Sequence, residues 1–341
     1  MSRIFRNKTY FIAEIGVNHN GSLKLAKKMI KEAKKAGANA VKFQTFKADL
    51  LASPRTPKVK YQRSTTSKKE SHYDMLKSLE LSEKNHHVLK NFCKKEKIDF
   101  LSTPYNLQSA KFLDKIGCKV FKTASADIVD LELHTYLAKN KKKVIISTGM
   151  SNFNEIDECI DLYKKYSNKN FILLHCVSNY PCSLSSLNLS IMPEIQKRYN
   201  CHVGYSDHSI GNDAAILSFG MGARVIEKHF TTNKNLKGPD HKASSLPHEF
   251  REMVTKIRLA ETMMGKTVKK CQLEEMEMRK VSRKSLTLKM NIKKGEILKK
   301  KLFVLKRPGT GLYYKDLKKI LGKKTKKKLY KDYQIKLVDI E

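Results

Sequence analysis

No two cysteines of this 341-residue chain stand in a Cys-x-x-Cys pair, and their total, seven, is odd. A disulfide framework and a zinc cage are thereby set aside, and Cys93, Cys118, Cys159, Cys176, Cys182, Cys201 and Cys271 read as reduced thiols of a cytoplasmic protein. No apolar run approaches the roughly 20 residues of a membrane span. The opening MSRIFRNKTYFIAEIG has neither the apolar stretch nor the cleavage site of a secretory signal. No Gly-x-Gly-x-x-Gly follows the first apolar run, which removes the usual mark of a dinucleotide-binding sheet. Acids are scarce as well, 33 Asp and Glu against 69 Lys and Arg, for a formal net charge of +36. Arginine is scarcer still, 11 residues against 58 lysines. Readers of bases and phosphates lean on the arginine fork, so a lysine excess spread along the chain reads first as a solvated surface. A grip on nucleic acid is the competing reading that the charge would physically support. The excess is densest at the end, where residues 282–341 hold 18 Lys and 2 Arg against 5 acids.

What is present is enough for a core, since 40% of the residues are hydrophobic. Short β-branched runs recur at 10–17, 40–46, 99–104, 120–127, 143–149, 170–176, 202–208 and 224–230. Amphipathic, Lys-rich stretches such as 23–37, 83–97 and 154–166 lie between them. Strands alternating with helices predict parallel βαβ units, and eight of them in about 250 residues match a (β/α)8 TIM barrel. A doubly wound open sheet is the alternative. Residues 47–80 are long for a strand-to-helix connection, and long connections on barrels commonly build active sites. The pattern breaks near 265–282. Beyond it RKSLTLKM, EILKKKLFVLKR and YQIKLVDIE, with the turns NIKKGE and RPGTG, predict a small β-rich module. The expected organisation is a catalytic barrel over 1–270, a linker over 271–282 and the module over 283–341.

In a barrel the strand C-termini form the mouth where active sites are built. Nearly every predicted strand here ends in a reactive group: Glu14; Lys42 and Gln44; Ser102 and Thr103; Lys122, Ser125 and Asp127; Ser147 and Thr148; His175; Ser206, Asp207 and His208; Glu227, Lys228 and His229. Any one of them has an ordinary structural explanation, but eight strands ending alike point to one site. Lys42, Lys122 and, with less force, Lys228 interrupt apolar strands, where an unpaired ammonium is costly. An anionic ligand would resolve that cost, with the hydroxyls of Thr103, Ser125, Ser147 and Ser206 sharing its oxygens. A phosphate together with a carboxylate is the expected anion. His208 and His229 close adjacent strands one αβ repeat apart. Two imidazoles beside carboxylates suit a divalent ion, although the spacing does not choose between that and two structural histidines.

The runs AEIGVNHNG (13–21), VKFQTF (41–46), LSTPY (101–105), KTASAD (122–127), ISTGM (146–150), HCVSNYP (175–181), GYSDHS (204–209), IEKHF (226–230) and GPDHKAS (238–244) together resemble the sialic acid synthase family, whose members include N-acetylneuraminate, legionaminic acid and pseudaminic acid synthases. The tail, with LFVLKRPGTGL, resembles that family's C-terminal antifreeze-like (SAF) domain. The match runs in order over essentially the whole chain. It implies a phosphoenolpyruvate-dependent transferase that joins this substrate to an N-acetylated amino sugar, either N-acetylmannosamine or a 6-deoxy di-N-acetylated hexose. It implies a divalent metal on His208 and His229, manganese by resemblance with magnesium or cobalt as substitutes, and phosphoenolpyruvate on Lys42, Thr103, Lys122, Ser125, Ser147 and Ser206. The sugar would meet Glu14, Gln44, Tyr180, Asp240 and Arg307, and Asp127 would take the catalytic carboxylate position beside His208 and His229. Arg307 would act from the other subunit of a domain-swapped homodimer. Two departures touch the sugar: Asp127 stands where the N-acetylmannosamine enzymes carry Glu, and Ser178-Asn179 precedes Tyr180. The alternatives are another phosphoenolpyruvate-using barrel aldolase of the 3-deoxy sugar-acid type, or a basic nucleic-acid binder.

Overall fold

The computed structural model describes residues 8–67 and 69–341; residues 1–7, within the stretch read above for a secretory signal, lie outside the described residues. The chain forms two compact units, Met1–Gly265 and Lys266–Glu341. In the first, strands β1 (Tyr10–Gly16), β2 (Ala40–Thr45), β3 (Asp99–Pro104), β4 (Val120–Thr123), β5 (Lys143–Ser147), β6 (Phe171–Cys176), β7 (His202–Asp207) and β8 (Val225–His229) make one sheet. Its order is β3-β2-β1-β8-β7-β6-β5-β4, all parallel, and β3 lies beside β4, so the sheet closes on itself. This is the predicted (β/α)8 barrel.

The barrel forms because two apolar periods coexist. Along each strand alternate side chains go to opposite faces. Tyr10, Ile12, Ala40, Leu101, Val120, Ile145, Ile172, Leu174 and Val225 fill the inside, while Phe11, Val41, Phe121, Val144, Leu173, Val203 and Ile226 face the helices. The helices answer with stripes of period 3.6. Helix Leu23–Lys35 buries Ala26, Met29, Ile30 and Ala33, and Ser22 caps it by accepting from the Leu25 N–H. Its lysines stand on the opposite, solvated face, where much of the chain's positive excess goes. Each buried aliphatic side chain contributes on the order of 1.5–3 kcal/mol.

One position inside the barrel tolerates no side chain. A Cβ on Gly204 would meet the Val225 carbonyl oxygen at 2.4 Å and Leu174 Cδ2 at 2.5 Å. The oxygen belongs to the neighbouring strand and cannot step aside. Gly204→Ala is therefore expected to cost at least ~1–3 kcal/mol, read as a lowered denaturant midpoint; a variant as stable as the parent would show that β7 and β8 can separate.

Two expectations about elements are corrected, the extent of β4 and the last strand of the tail, and the long 47–80 connection gains short helices of its own. The β4 run predicted to reach residue 127 stops at Thr123, and Ser125–Val129 is a 3-10 turn. Asp130 turns the chain by capping the next helix, its carboxylate accepting from Leu133 N at 3.0 Å. The connection 47–80 carries three short helices, Ala48–Leu51, Lys60–Thr65 and His72–Ser78, seated on a small cluster of Val17, Phe46, Met75 and Leu79. In the second unit β9 (Ser285–Leu288) and β10 (Phe303–Lys306) pair antiparallel. The expected third strand, YQIKLVDIE, makes only bridges at Gln334 and Ile340. Asp339 ends it as a turn, its carboxylate accepting from Lys336 N at 2.9 Å. Leu286, Leu288, Ile292, Leu298, Phe303 and Ile335 belong to this unit's own core.

Candidate active site

The same alternation that fills the barrel decides which strand-end groups face its mouth. Two residues beyond each interior apolar position stand Glu14, Lys42, Thr103, Lys122, Ser147, Cys176 and Glu227, and they converge. Lys42 Nζ lies 2.8 Å from Glu14 Oε2, 3.6 Å from Glu227 Oε1 and 3.0 Å from Thr103 Oγ1. Lys122 Nζ donates to Ser147 Oγ at 2.5 Å and to the Thr123 carbonyl at 2.8 Å, with Glu227 Oε1 at 3.9 Å. Ser206 Oγ donates to the same Glu227 oxygen at 3.3 Å. All four charged groups are buried. Burial alone would push Lys42 down, but Glu14 and Glu227 hold it above its ordinary value. Lys122, less well paired, is pushed down by burial. Burial raises Glu14, whereas Lys122 and Lys42 hold Glu227 low against its burial.

The out-of-phase residues go elsewhere. Lys228 pairs with Asp207 at 2.5 Å, His175 bonds the Leu187 carbonyl at 2.6 Å, and Ser102 bonds Thr45 at 2.6 Å. These are structural contacts on the helix side, so the expectation that Lys228 meets an anion in the mouth is corrected. Glu227, named among the strand-end groups, is the mouth residue to which sequence reasoning gave no role. Its position two before His229 was the available signal.

His208 and His229 stand together, ring centroids 5.5 Å apart, with Tyr180 at 4.1 Å from the first and 5.3 Å from the second. His208 Nδ1 lies 2.8 Å from the Val177 carbonyl. A carbonyl only accepts, so Nδ1 carries the hydrogen; Cys176 beside it holds the ring above its ordinary pKa against burial, and in the neutral ring Nε2 has a lone pair to offer. His229 Nδ1 is buried without a hydrogen-bond partner, the Asp240 carboxylate standing 3.9 Å away, and its burial, next to His208, pushes its pKa far down, so it stays neutral. A neutral imidazole oriented by a backbone carbonyl is how metal-binding histidines are held, so the pair fits a divalent ion. Among the described residues no cluster of three His, Cys, Asp or Glu completes such a site; the remaining positions would fall to ligand and water.

Asp127 and Ser125 sit on the turn after β4. Ser125 Oγ accepts from Gly149 N at 3.0 Å. Asp127 Oδ2 is buried without a partner, and burial together with the Asp130 carboxylate pushes Asp127 up to about 7 against the pull of Lys122. Beside Gln44 and His229 opens a cavity of about 300 Å3. Gln44, Tyr180, His229 and Asp240 line it from the strand ends, and Tyr61, His72 and Met75 from the 47–80 connection. Burial pushes Asp240 up to about 6. Glu14 is not in this lining but beside Lys42. Arg307 belongs to the second unit, where it is exposed.

The sequence profile of the NeuB family matches residues 29–269, and that of the SAF domain matches 283–341. An N,N'-diacetyllegionaminic acid synthase of Legionella pneumophila is 43% identical over 92% of this chain and 89% of its own. A pseudaminic acid synthase of Campylobacter jejuni is 34% identical over 94% and 93%. The crystal structure of an N-acetylneuraminic acid (sialic acid) synthetase from Leptospira borgpetersenii, in complex with citrate, superposes with a TM-score of 0.71 at 34% identity, over 80% of this chain and 90% of that one.

Proposed function

The chain belongs to the NeuB family and is a condensing enzyme of the sialic acid synthase type, joining phosphoenolpyruvate to an N-acetylated amino sugar; on that premise we propose the roles of its residues. The observation that carries the assignment is the convergence of Lys42, Lys122, Glu227, His208 and His229 on one barrel mouth.

Lys42 and Lys122 bind the anionic groups of phosphoenolpyruvate, with Thr103, Ser125, Ser147 and Ser206 taking its remaining oxygens. Charge-assisted hydrogen bonds of this kind fix orientation as well as affinity. His208 and His229 hold the divalent ion, proposed as manganese with magnesium or cobalt as substitutes. When bound, it supplies Lewis-acid polarisation of the acceptor's carbonyl oxygen. C3 of the enol phosphate forms a bond to the aldehyde carbon of the open-chain sugar, whose oxygen takes up a proton. Water adds at C2, and its proton passes to Asp127, placed beside Lys122 with one carboxylate oxygen unengaged. The C2–O bond to phosphate then breaks, phosphate taking its electron pair and the proton of the new C2 hydroxyl, and a nine-carbon 2-keto sugar acid remains. Gln44, Tyr180 and Asp240 contact the sugar in the 300 Å3 cavity, and Glu14 reaches it from beside Lys42. The partner subunit's Arg307 meets an N-acetyl group in a domain-swapped homodimer. No helix among the described residues is long and apolar enough to cross a membrane; a cytoplasmic location is proposed on the unpaired cysteines.

The test is a coupled assay with the full chain, phosphoenolpyruvate, Mn2+ and a panel of N-acetylated hexoses. Phosphate and 2-keto acid are expected to appear one for one, and exhaustive chelation is expected to stop both. Phosphate without keto acid, or unabated turnover after chelation, would overturn the chemistry or the metal respectively.

A further inference from the structure

The second unit carries the chain's densest charge. Residues 293–301 hold five lysines against the single acid Glu296, and residues 318–328 hold seven lysines and no acid. The fold brings these two runs side by side. Bridges at Thr287 and Gln334, Ile292 and Leu329, and Ile297 and Lys324 keep one antiparallel register, and Leu298 N donates to the Lys323 carbonyl at 2.9 Å. All of these lysines are exposed. Among the described residues only Lys319 and Lys327 of the two runs have a carboxylate within 4.0 Å, Asp316 and Asp339. Glu296 turns back on its own loop and accepts from Lys293 N at 2.9 Å. Glu341 borders the face, its N–H donating to the Lys324 carbonyl at 2.9 Å.

Lysines alone would make a solvated surface, but apolar side chains stand among these. Residues directly opposite on an antiparallel ladder share a face, so Ile297 projects with Lys324, away from the buried Thr325 next along. Ile297 is 46% exposed. Exposed Leu321 precedes Gly322, whose N–H donates to the Leu298 carbonyl at 2.9 Å. Exposed Leu337 and Val338 lie on a turn whose Asp339 carbonyl accepts from Lys326 N at 2.9 Å. A nucleic acid would answer the ammonium groups but offers aliphatic tips nothing. Its binders also lean on arginine forks and aromatic platforms, and neither lysine run contains an arginine or an aromatic residue. A membrane leaflet answers both features, with phosphates for the lysines and an acyl boundary for the aliphatic tips. We propose that this face of the second unit docks on an anionic lipid leaflet, with Ile297 and its exposed apolar neighbours at the acyl boundary. The ladder's other end stays clear of it. There Gln334 Nε2 donates to the Pro308 carbonyl at 2.8 Å, so the turn carrying Arg307 lies away from the docking face. Such docking needs no spanning segment; it is peripheral and reversible.

The test sediments the full chain with vesicles of phosphatidylglycerol and phosphatidylcholine, and with vesicles of phosphatidylcholine alone, at about 0.1 M salt. The chain is expected to follow the mixed vesicles and not the neutral ones, and to come off as salt is raised. Lys300→Ala and Lys323→Ala should each weaken binding about fivefold, the worth of one lysine at such a surface. Ile297→Ser removes no charge, yet should weaken lipid binding severalfold and leave binding of a single-stranded RNA oligonucleotide unchanged. An unaltered denaturant midpoint in each variant shows that the fold is intact. No sedimentation with the anionic vesicles, or sedimentation that ignores all three substitutions, would overturn the proposal. A chain that holds the RNA more tightly than the vesicles would overturn it in favour of nucleic acid.

Discussion

Asp127→Asn lowers the turnover number about 10²–10⁴-fold, the usual worth of a positioned general base, while phosphoenolpyruvate still binds. The amide keeps the shape and loses only the ability to take a proton. The sign of the pH dependence follows from the same burial. Asp127 is pushed up to about 7 by burial and by Asp130, and a base works only when ionised. Turnover in the parent should therefore fall roughly tenfold per pH unit below about 7 and level off above it; the variant should show no such limb. A carboxylate raised in the folded state holds its proton more tightly than in the unfolded chain, so its ionisation weakens the fold as pH rises from the ordinary carboxylate range through 7. Asp127→Asn is accordingly expected to melt higher than the parent at pH 8. An undiminished turnover number, or an acid limb that survives the substitution, would pass the base role to another group.

Glu227→Ala should be the most damaging change to the fold among the mouth residues. Among the described residues Glu227 is the sole carboxylate within 4.0 Å of Lys122, and it also faces Lys42 at 3.6 Å. Its removal leaves Lys122 as a buried ammonium facing no anion, a situation that costs about 3–5 kcal/mol. The loss is read by denaturant unfolding at neutral pH. Because its lysine neighbours hold Glu227 below its ordinary pKa, its contribution is present at neutral pH. It fades only as pH falls through that lowered value, so parent and variant should converge in strong acid. Phosphoenolpyruvate should recover part of the loss by mass action, its own negative groups standing where the carboxylate stood. A variant as stable as the parent at pH 7 would mean that water or a shifted Glu14 already serves Lys122.

Much of this was legible in the sequence, for identifiable reasons. The strands are short β-branched runs buried on both faces, and such runs mark parallel strands whatever surrounds them; hence 99–104 and 202–208 fall within a residue of β3 and β7. Strand-end reactivity located the mouth, but it did not separate the two faces. Lys42 and Lys228 look alike as lysines in apolar runs, yet only the first is in phase with the interior, and Glu227 is in phase where Lys228 is not. Counting in twos back from His229 would have sorted them. The turn carrying Ser125 and Asp127 depends on a helix cap at Asp130, which is easily read as strand continuation when apolar residues surround it. The 47–80 connection was least legible, because its short helices rest on Val17, Phe46, Met75 and Leu79, residues brought together only by the closed barrel.

The two glutamates and two lysines at the foot of the mouth have a consequence for how anions are handled. The chain as a whole is strongly positive, so a negative solute is drawn toward it from a distance. Yet as ionised groups these four sum to zero, and the surplus stops short of the floor. If Lys42 takes the substrate anion as proposed, an arriving trianion does not drop into a positive well; it has to compete with Glu14 for the ammonium. On the same reading, once inorganic phosphate has parted from the carbon skeleton, Glu14 is again the ammonium's partner. The empty site is thus its own competitor for the leaving anion, and turnover is protected from the retention that an unbalanced cationic pit would impose.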